Sequence, residues 1–339
     1  MHRHHINASQ EKLEPNDPLH SESAFLSGLE SIQRGHERIM KSAMLTELNS
    51  TQTSEPPGLF RQLLMRPGSA FGLMLIAIIV LCALTAEYIT PFDPNDQPFD
   101  GLTIEGAPIA PSAEHWMGTD LLGRDLFSRL IVGAQTSLII GVVANGLSAI
   151  LGTAVGVAAG YFGGLTAAVL MRFTDLMMAF PALLLAIVLA AIFEPSLWIV
   201  AMVIAMVNWV QMARVVYTET RSLTERDFIQ AQISMGSGPM RVLLKHVLPH
   251  LLSSIVVFST LGISTTVLLE ATLSYLGVGV QPPTPSWGNI IFENQTYFTS
   301  APWLVFIPGA AILLMALAFN LVGDALRDIL DPTLKGRHG

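Results

Sequence analysis

The sequence predicts an all-α integral membrane protein with six transmembrane helices. Hydrophobic residues make up 51% of its 339 residues and charged residues only 13%, whereas soluble domains average about 25% charged residues. The mean hydropathy of +0.52 points the same way. A hydrocarbon core of about 30 Å takes roughly 20 apolar residues in a helix. Six segments meet or approach that length: residues 70–89, 136–160, 174–193, 196–213, 251–277 and 303–323.

The composition also excludes several kinds of site. The net charge of −8 argues against nucleic-acid binding, which needs clustered Lys and Arg. Cys82 is the single cysteine, so no disulfide can form within the chain and no thiolate metal site is expected. His2, His4 and His5 form a cluster without visible supporting residues, and we predict no metal site there. The first 25 residues lack the apolar stretch of a secretory signal, so we expect no cleavable signal peptide.

Three elements precede the second span. Residues 1–57 are polar and lack a sustained apolar face, which predicts a disordered cytoplasmic tail. Residues 58–69 predict an interfacial helix that leads into the first span at 70–89. Residues 90–135 are acidic and rich in proline, and we predict a compact extracytoplasmic loop.

The remaining residues form the predicted transmembrane core, 136–323, and a cytoplasmic C-terminal tail, 324–339. The second span is rich in glycine, which favours close helix packing. We expect Pro181 to kink the third span and Glu194-Pro195 to join the third and fourth spans as a tight hairpin. The glycines of the second span are Gly141, Gly146, Gly152, Gly156 and Gly160.

Polar residues within the spans are candidates for two roles, lining a pathway or packing helices. Glu270 stands out because an acidic side chain in an apolar span is costly and often functional. Its place near the outer end of its span favours hydrogen bonds to the loop around Trp287 and Asn289. At the inner end of the third span, Arg172 and Asp175 predict a local ion pair. The full set of pathway or packing candidates is Asn145, Pro181, Asn208 and Glu270.

Loop charges predict the orientation, since Lys and Arg concentrate on the cytoplasmic side. A cytoplasmic N-terminus places 16 of the 18 Lys and Arg residues inside and leaves only Arg124 and Arg129 outside. Both termini are then cytoplasmic. The same assignment places residues 214–250 in the cytoplasm, and we name these residues the polar segment.

The polar segment is far longer than most connections between helices. It reads as a helix, a glycine break, a second basic amphipathic helix and a proline stop, which describes a docking element. No Walker A pattern, dinucleotide-binding glycine fingerprint or zincin motif occurs in the sequence. Any dependence on ATP must therefore come from a partner protein.

The polar segment resembles the EAA loop of ABC importer permeases, the element that seats a coupling helix in the ATPase subunit. The matching residues are 230–249, QAQISMGSGPMRVLLKHVLP, with the usual spacing from Gly236 to the Leu-Pro pair. Gln230 and Gln232 depart from the family pattern, which usually has Glu and a small residue at these positions. The residues that the resemblance assigns to ATPase coupling are Asp227, Gln230, Ala231, Met235, Gly236, Met240, Arg241, His246 and Pro249.

Three further segments make the chain similar to the second permease subunit of the dipeptide, oligopeptide and nickel importers. They are residues 118–129 (GTDLLGRDLFSR), 273–288 (LSYLGVGVQPPTPSWG) and 318–332 (AFNLVGDALRDILDP). The resemblance implies a type I importer (MetI-like) permease fold in a bacterial inner membrane. It also implies a homologous permease partner, two ATPase subunits that carry ATP and Mg²⁺, and an extracytoplasmic binding protein. No catalytic residue, metal or cofactor is implied for this chain.

Two other classes of function compete with this interpretation. A stand-alone secondary transporter would need coupling groups near mid-membrane and interrupted helices in matching halves, whereas the charges here cluster at span ends. An intramembrane enzyme would need a nucleophile–base or carboxylate–metal set, and no span pairs His with Ser, Asp or Glu. Within the family, the substrate stays open among peptides, nickel chelates, glutathione and modified peptides.

Overall fold

The computed structural model describes residues 36–38, 40–42 and 58–330. Residues 1–58 and 59–339 form two separate units. In the first unit, residues 36–38 and 40–42 are helical and exposed, and Gly58 is exposed and lies outside any helix. The rest of the predicted N-terminal tail, including the histidine cluster, lies outside the described residues, as do residues 331–339.

The second unit is built from helices joined by turns and one long loop. Where the chain is described, the β-structure consists of two isolated antiparallel bridges, Leu102–Pro108 and Thr119–Asp125. The helices are α1 (Leu59–Met65), α2 (Pro67–Leu84), α3 (Ala86–Ile89), α4 (Leu126–Phe162), α5 (Gly164–Ala179), α6 (Ala182–Ile192), α7 (Leu197–Thr224), α8 (Asp227–Ser234), α9 (Pro239–Val242), a π-helical turn (Leu243–Val247), α10 (Leu248–Tyr275), α11 (Trp287–Asn294), a 3₁₀ turn (Gln295–Tyr297) and α12 (Trp303–Leu330).

Five helical runs of the described chain are long and apolar enough to cross a membrane. They are α2, α4, α7, the continuous run Pro239–Tyr275 and α12. The sixth predicted span corresponds to α5 and α6, which are bent by 90° at the break between them. Six spans are therefore present if this bent pair counts as one.

The second span begins ten residues earlier than the sequence predicts, because α4 starts at Leu126. Hydropathy places the boundary at 136 on account of the polar residues before it. In the structure Asp125 caps the helix, with its carboxylate accepting from the Ser128 backbone N–H at 2.8 Å, and Arg129 is buried in ion pairs. We name residues 90–125, which precede α4, the acidic loop.

The third span differs most from its prediction. α5 starts directly after α4, at a turn where Gly163 and Gly164 have φ of 60° and 49°, so helix occupies most of the stretch predicted to connect the spans. Pro181 produces a 90° break in place of a kink in one continuous helix. Its ring removes a backbone donor and clashes with the preceding turn, and α6 restarts at Ala182.

Glycines of α4 allow it to pack closely against α7. A Cβ on Gly152 would lie 2.6 Å from the Trp209 carbonyl oxygen, and a Cβ on Gly156 would lie 2.6 Å from the Ala213 carbonyl oxygen. A Cβ on Gly160 would meet the Thr220 Cβ at 2.6 Å. The spacing of four residues places all three on one face of α4. Backbone contact of this kind holds helices together where the lipid supplies no hydrophobic drive.

Candidate functional site

Two regions rich in polar residues lie at opposite ends of α4. The acidic loop joins its first residue, Leu126, whereas Val157 and Tyr161 near its last turn pack against the buried residues of the polar segment. A helix of 37 residues rises about 55 Å at 1.5 Å per residue, well beyond a hydrocarbon core of about 30 Å. A membrane crossed by α4 therefore separates the acidic loop from the polar segment.

The polar segment forms two short helices around a glycine turn. The first part of the segment continues α7 to Thr224, and α8 follows from Asp227. Gly236 has φ +80°, a left-handed conformation that a side chain disfavours. A Cβ at Gly236 would have no heavy atom within 4 Å, so backbone conformation, not space, requires glycine here.

The predicted proline stop at Pro249 is wrong. α9, the π-helical turn Leu243–Val247 and α10 form one uninterrupted helical run through Pro249. The proline lies at the start of α10, directly after the π-helical turn. Its missing N–H is tolerated where the hydrogen-bond register has already shifted by one residue.

One face of the polar segment anchors it to the transmembrane helices. Ile229, Val242 and Val247 are buried and pack in a cluster with Met212 of α7 and Leu251 of α10. This packing fixes α8 and α9 against the ends of α4 and α7.

Other side chains of the polar segment are large, apolar and exposed. Met235 and Met240, on either side of the glycine turn, are 68% and 66% exposed. Phe228, Ile233 and Leu244 are exposed as well. Flexible methionines at an exposed apolar surface are typical of adaptable protein contacts.

Most of the predicted coupling residues are exposed as well. His246 is half-buried, and its carbonyl oxygen lies 2.6 Å from His250 Nδ1, while the His250 ring packs against Phe228. Gln230 Nε2 donates to the Thr224 carbonyl at 2.7 Å and so ties α8 to α7. The exposed members are Asp227, Gln230, Ala231, Met235, Gly236, Met240, Arg241 and Pro249.

Two of the polar residues in the spans join helices in the structure. Asn145 Nδ2 donates to the Ser259 carbonyl at 2.6 Å, which links α4 to α10. Asn208 Nδ2 lies 3.3 Å from Thr266 Oγ1 and links α7 to α10. Two roles were predicted for these residues, lining a pathway or packing helices, and both contacts fit helix packing.

Glu270 is completely buried near the C-terminal end of α10. Its carboxyl oxygens accept hydrogen bonds from Ser137 Oγ of α4 at 3.1 Å and from Ser274 Oγ at 2.8 Å. Ser137 Oγ in turn lies 3.5 Å from the Trp287 backbone nitrogen. Glu270 thus contacts the loop around Trp287 indirectly, through Ser137. Asn289 instead donates hydrogen bonds to the Val280 and Thr284 carbonyls.

The predicted ion pair of Arg172 with Asp175 is replaced by another. Asp175 pairs with Arg214 of α7, and Phe173 stacks on Trp209 with ring centroids 6.0 Å apart. Asp175 lies closer to Arg214, on the neighbouring helix α7, than to Arg172, three residues before it in α5. These contacts hold the bent α5 against α7.

Sequence reasoning missed a buried ion cluster where the acidic loop meets α11. Arg124 contacts Asp120 at 2.6 Å and Glu293 at 2.9 Å. Arg129 contacts Glu293 at 2.7 Å and Asp120 at 3.4 Å. Two cations and two carboxylates balance, as buried charges must. One signal was available: these are the two arginines that charge counting left outside, and Glu293 is the single charged residue in 278–302.

Neighbouring contacts extend this cluster into a rigid frame. His115 Nδ1 lies 2.9 Å from Asp125 Oδ1, and the Asn294 side-chain oxygen accepts from the Leu121 backbone N–H at 3.1 Å. Thr119 Oγ1 donates to the Gly101 carbonyl at 2.6 Å. The acidic loop is therefore fixed to α4 and α11 through side chains of the 118–129 motif. Among the described residues, no three His, Cys, Asp or Glu side chains are grouped so that they could hold a metal ion.

Comparison with known proteins identifies the family. Residues 152–336 match the family described as binding-protein-dependent transport system inner membrane component. Residues 59–106 match the N-terminal transmembrane domain of oligopeptide transport permease C.

Individual relatives cover most of the chain. The dipeptide transport system permease protein DppC of Alkalihalophilus pseudofirmus is 40% identical over 81% of this chain and 89% of its own length. The glutathione transport system permease protein GsiD of Escherichia coli is 41% identical over 78% of this chain and 86% of its own length.

A solved structure supports the fold. The inward-facing MetNI methionine ABC transporter matches with a TM-score of 0.50 and 17% identity, over 61% of this chain and 98% of that one. At this identity the likeness bears on the fold alone, and it agrees with the predicted MetI-like arrangement. The chain therefore belongs to the family of binding-protein-dependent transport system inner membrane components, as an integral membrane permease subunit.

Proposed function

We propose that this chain is a permease subunit of an ATP-driven importer of short peptides and forms half of the translocation pathway. The observation that carries the proposal is the identity of about 40% to permeases named for dipeptide and for glutathione transport, both of which are short peptides. Glutathione is the second candidate substrate on the same ground. Nickel import is the family alternative.

The proposed assembly contains this chain, a homologous permease, two ATPase subunits and an extracytoplasmic binding protein. ATP and Mg²⁺ bind the ATPases, and this chain is non-catalytic. The polar segment docks on an ATPase through the exposed face that carries Met235, Met240 and Arg241. The buried face with Ile229 and Val242 joins that contact to α4 and α7, so closure of the ATPase dimer rocks the spans as rigid bodies.

The orientation follows from this docking. The polar segment faces the cytoplasm with both termini, and the acidic loop faces the binding protein. The concentration of Lys and Arg in the segments on the polar-segment side supports this orientation.

Reconstitution tests the proposal. The complete complex in proteoliposomes should take up labelled dialanine only when ATP is enclosed in the lumen, where the ATPase subunits lie, and the binding protein is outside. Competition by excess dialanine, glutathione or Ni²⁺ identifies the substrate class. Uptake by this chain alone would favour a secondary transporter and refute the proposal, and competition by Ni²⁺ without competition by peptides would refute the peptide assignment.

A further inference from the structure

Three transmembrane helices each expose an uncharged polar side chain among apolar neighbours. On α10, Phe258 and Leu268 are exposed seven residues before and three residues after the polar position. On α12, Leu313 and Leu317 are exposed seven and three residues before it. Such spacings place residues on one face of a helix. We name the three polar residues the polar belt: Gln211 of α7, Thr265 of α10 and Asn320 of α12.

Hydrogen bonds between the helices place the polar belt at one depth. Asn208, three residues before Gln211, lies 3.3 Å from Thr266 of α10. Ser264 Oγ of α10 donates to the Asn320 side-chain oxygen at 2.8 Å. At 1.5 Å per residue, no member of the belt lies more than about 4.5 Å from these contacts along its own helix. The belt therefore crosses three adjacent helices within a narrow band.

This band lies far from both ends of α10. Thr265 is 17 residues after Leu248 and ten residues before Tyr275, the two ends of the helix, which correspond to about 26 Å and 15 Å. Lipid tails offer no partner for an amide or a hydroxyl group, so polar groups at this depth face protein or water. The exposed face that carries the belt is therefore unsuited to lipid.

A break in the neighbouring span supports the same conclusion. Arg214, three residues after Gln211, pairs with Asp175 of α5, so Gln211 lies between α5 and α10. Residues 178–182, at the break between α5 and α6, are all exposed. Non-helical backbone within a membrane is tolerated only where protein covers it or water reaches it. The break and the belt thus require the same kind of surroundings.

The belt retains both kinds of hydrogen-bonding group. Gln211 has a carbonyl oxygen and an amide N–H₂ group. The Thr265 hydroxyl donates to the Gly262 carbonyl at 2.9 Å, which leaves its oxygen to accept. The Asn320 oxygen accepts from Ser264, which leaves its amide nitrogen to donate. These groups match the N–H and C=O groups of a peptide main chain and are indifferent to the charge of its side chains.

We propose that the polar belt lines the translocation pathway and forms hydrogen bonds with the main chain of the peptide in transit. The inference rests on the proposed function, which supplies a peptide substrate. Neutral donors and acceptors suit passage, because they replace water around the peptide without the strong attraction of a fixed charge. A helix of the partner permease is the other neighbour that could cover polar groups in a membrane, and the test separates the two.

The first measurement is the rate of cysteine labelling by a membrane-impermeant, cationic methanethiosulfonate reagent. Cys82 is the single cysteine, so Cys82→Ser supplies the background, and cysteine then replaces each belt residue in turn. The matched control is Met74→Cys on α2. Met74 is 50% exposed and lies two residues after Gly72, which packs against the Ala318 carbonyl of α12 near the depth of the belt.

In the complete complex in nanodiscs, the belt cysteines should react at least about tenfold faster than Met74→Cys. The reactive species is the thiolate, which forms where water reaches the sulfur. The exposed neighbours of Met74 on α2 are apolar and predict a lipid-facing surface: Phe71, Ile78 and Leu81.

The second measurement is the uptake of dilysine relative to dialanine by proteoliposomes at saturating binding protein and peptide. Gln211→Glu should raise this ratio about two- to fivefold, since a carboxylate on the pathway attracts a cationic substrate. Asn320→Asp should act in the same direction. Gln211→Asn keeps a neutral amide and should leave the ratio unchanged, which a merely structural effect of the charged variants would not explain.

Two results would overturn the inference. Belt cysteines as unreactive as Met74→Cys would mean that the partner permease or lipid covers the belt. Reactive cysteines together with an unchanged uptake ratio in both Gln211→Glu and Asn320→Asp would mean that the belt is wet but does not contact the peptide. Failure of the unmodified complex to import any peptide would instead refute the proposed function, and the labelling rates, which need no transport, distinguish the two failures.

Discussion

Two glycines of α4 offer a matched test of the close packing between α4 and α7. Alanine at Gly156 would place its Cβ 2.6 Å from the Ala213 carbonyl oxygen and 2.8 Å from the Val216 Cβ. Alanine at Gly146 would meet no heavy atom within 4 Å. Both substitutions lie within the same helix, so both gain the same helix propensity, roughly 0.5–1 kcal/mol.

The difference between the two variants therefore isolates the steric cost. Ordinary contact begins near 3.5 Å, so the helices must separate by about 0.9 Å at Ala213. Overpacking of this kind costs about 1–3 kcal/mol, and each kcal/mol shifts the midpoint of thermal unfolding by about 2–4 °C in domains of about 150–250 residues. We expect the thermal midpoint of Gly156→Ala to lie below that of Gly146→Ala by the temperature shift that corresponds to this cost.

The measurement is the thermal midpoint of the purified complex, followed by fluorescence-detected size exclusion after heating. Gly152→Ala should behave like Gly156→Ala, since its Cβ would also lie 2.6 Å from a backbone carbonyl, that of Trp209. Equal midpoints for Gly146→Ala and Gly156→Ala would refute the argument that backbone contact holds α4 to α7.

Three further predictions concern the ion cluster, the glycine turn and the buried carboxyl group. Glu293→Gln leaves two buried arginines with one carboxylate, and we expect a loss of about 3–5 kcal/mol of stability, measured as a lower thermal midpoint; an unchanged midpoint would contradict a buried cluster. Gly236→Val should lower transport per ATP hydrolysed while membrane insertion is retained, whereas Gly236→Asn should be milder because Asn tolerates positive φ; equal coupling in both variants would remove the role of the turn. Glu270→Leu should cost about 1–3 kcal/mol by leaving Ser137 and Ser274 without their acceptor, while Glu270→Gln retains an acceptor and should be nearly neutral in the same thermal assay; equal losses in both would contradict this role.

Hydropathy was sufficient to predict where the apolar helices lie, because it depends on single residues. Each of the six apolar segments is mostly helical in the structure, although segment 174–193 is broken at Pro181. The helix–glycine–helix pattern of the polar segment recurs around Gly236. The family resemblance depends on the spacing of residues within short motifs, and this spacing can be read from a single sequence.

Features that depend on partners distant in sequence could not be predicted in this way. The start of α4 at Leu126 depends on Arg129, whose partner Glu293 lies 164 residues away. The bend at Pro181 also depends on the contacts that fix α5, among them the ion pair between Asp175 of α5 and Arg214 of α7. Pro249 interrupts nothing because a π-helical turn precedes it, and no local pattern indicates that turn.

The uninterrupted helical run Pro239–Tyr275 has a mechanical consequence. It extends from the exposed Met240 beside the glycine turn to the residues that precede α11, and its 37 residues measure about 55 Å. A rod of this length, tilted by about 10° around its midpoint, moves each end by roughly 5 Å in opposite directions. With no loop to absorb the movement, a displacement at one membrane surface becomes an equal and opposite displacement at the other, so this single helix can serve as the lever arm of the subunit.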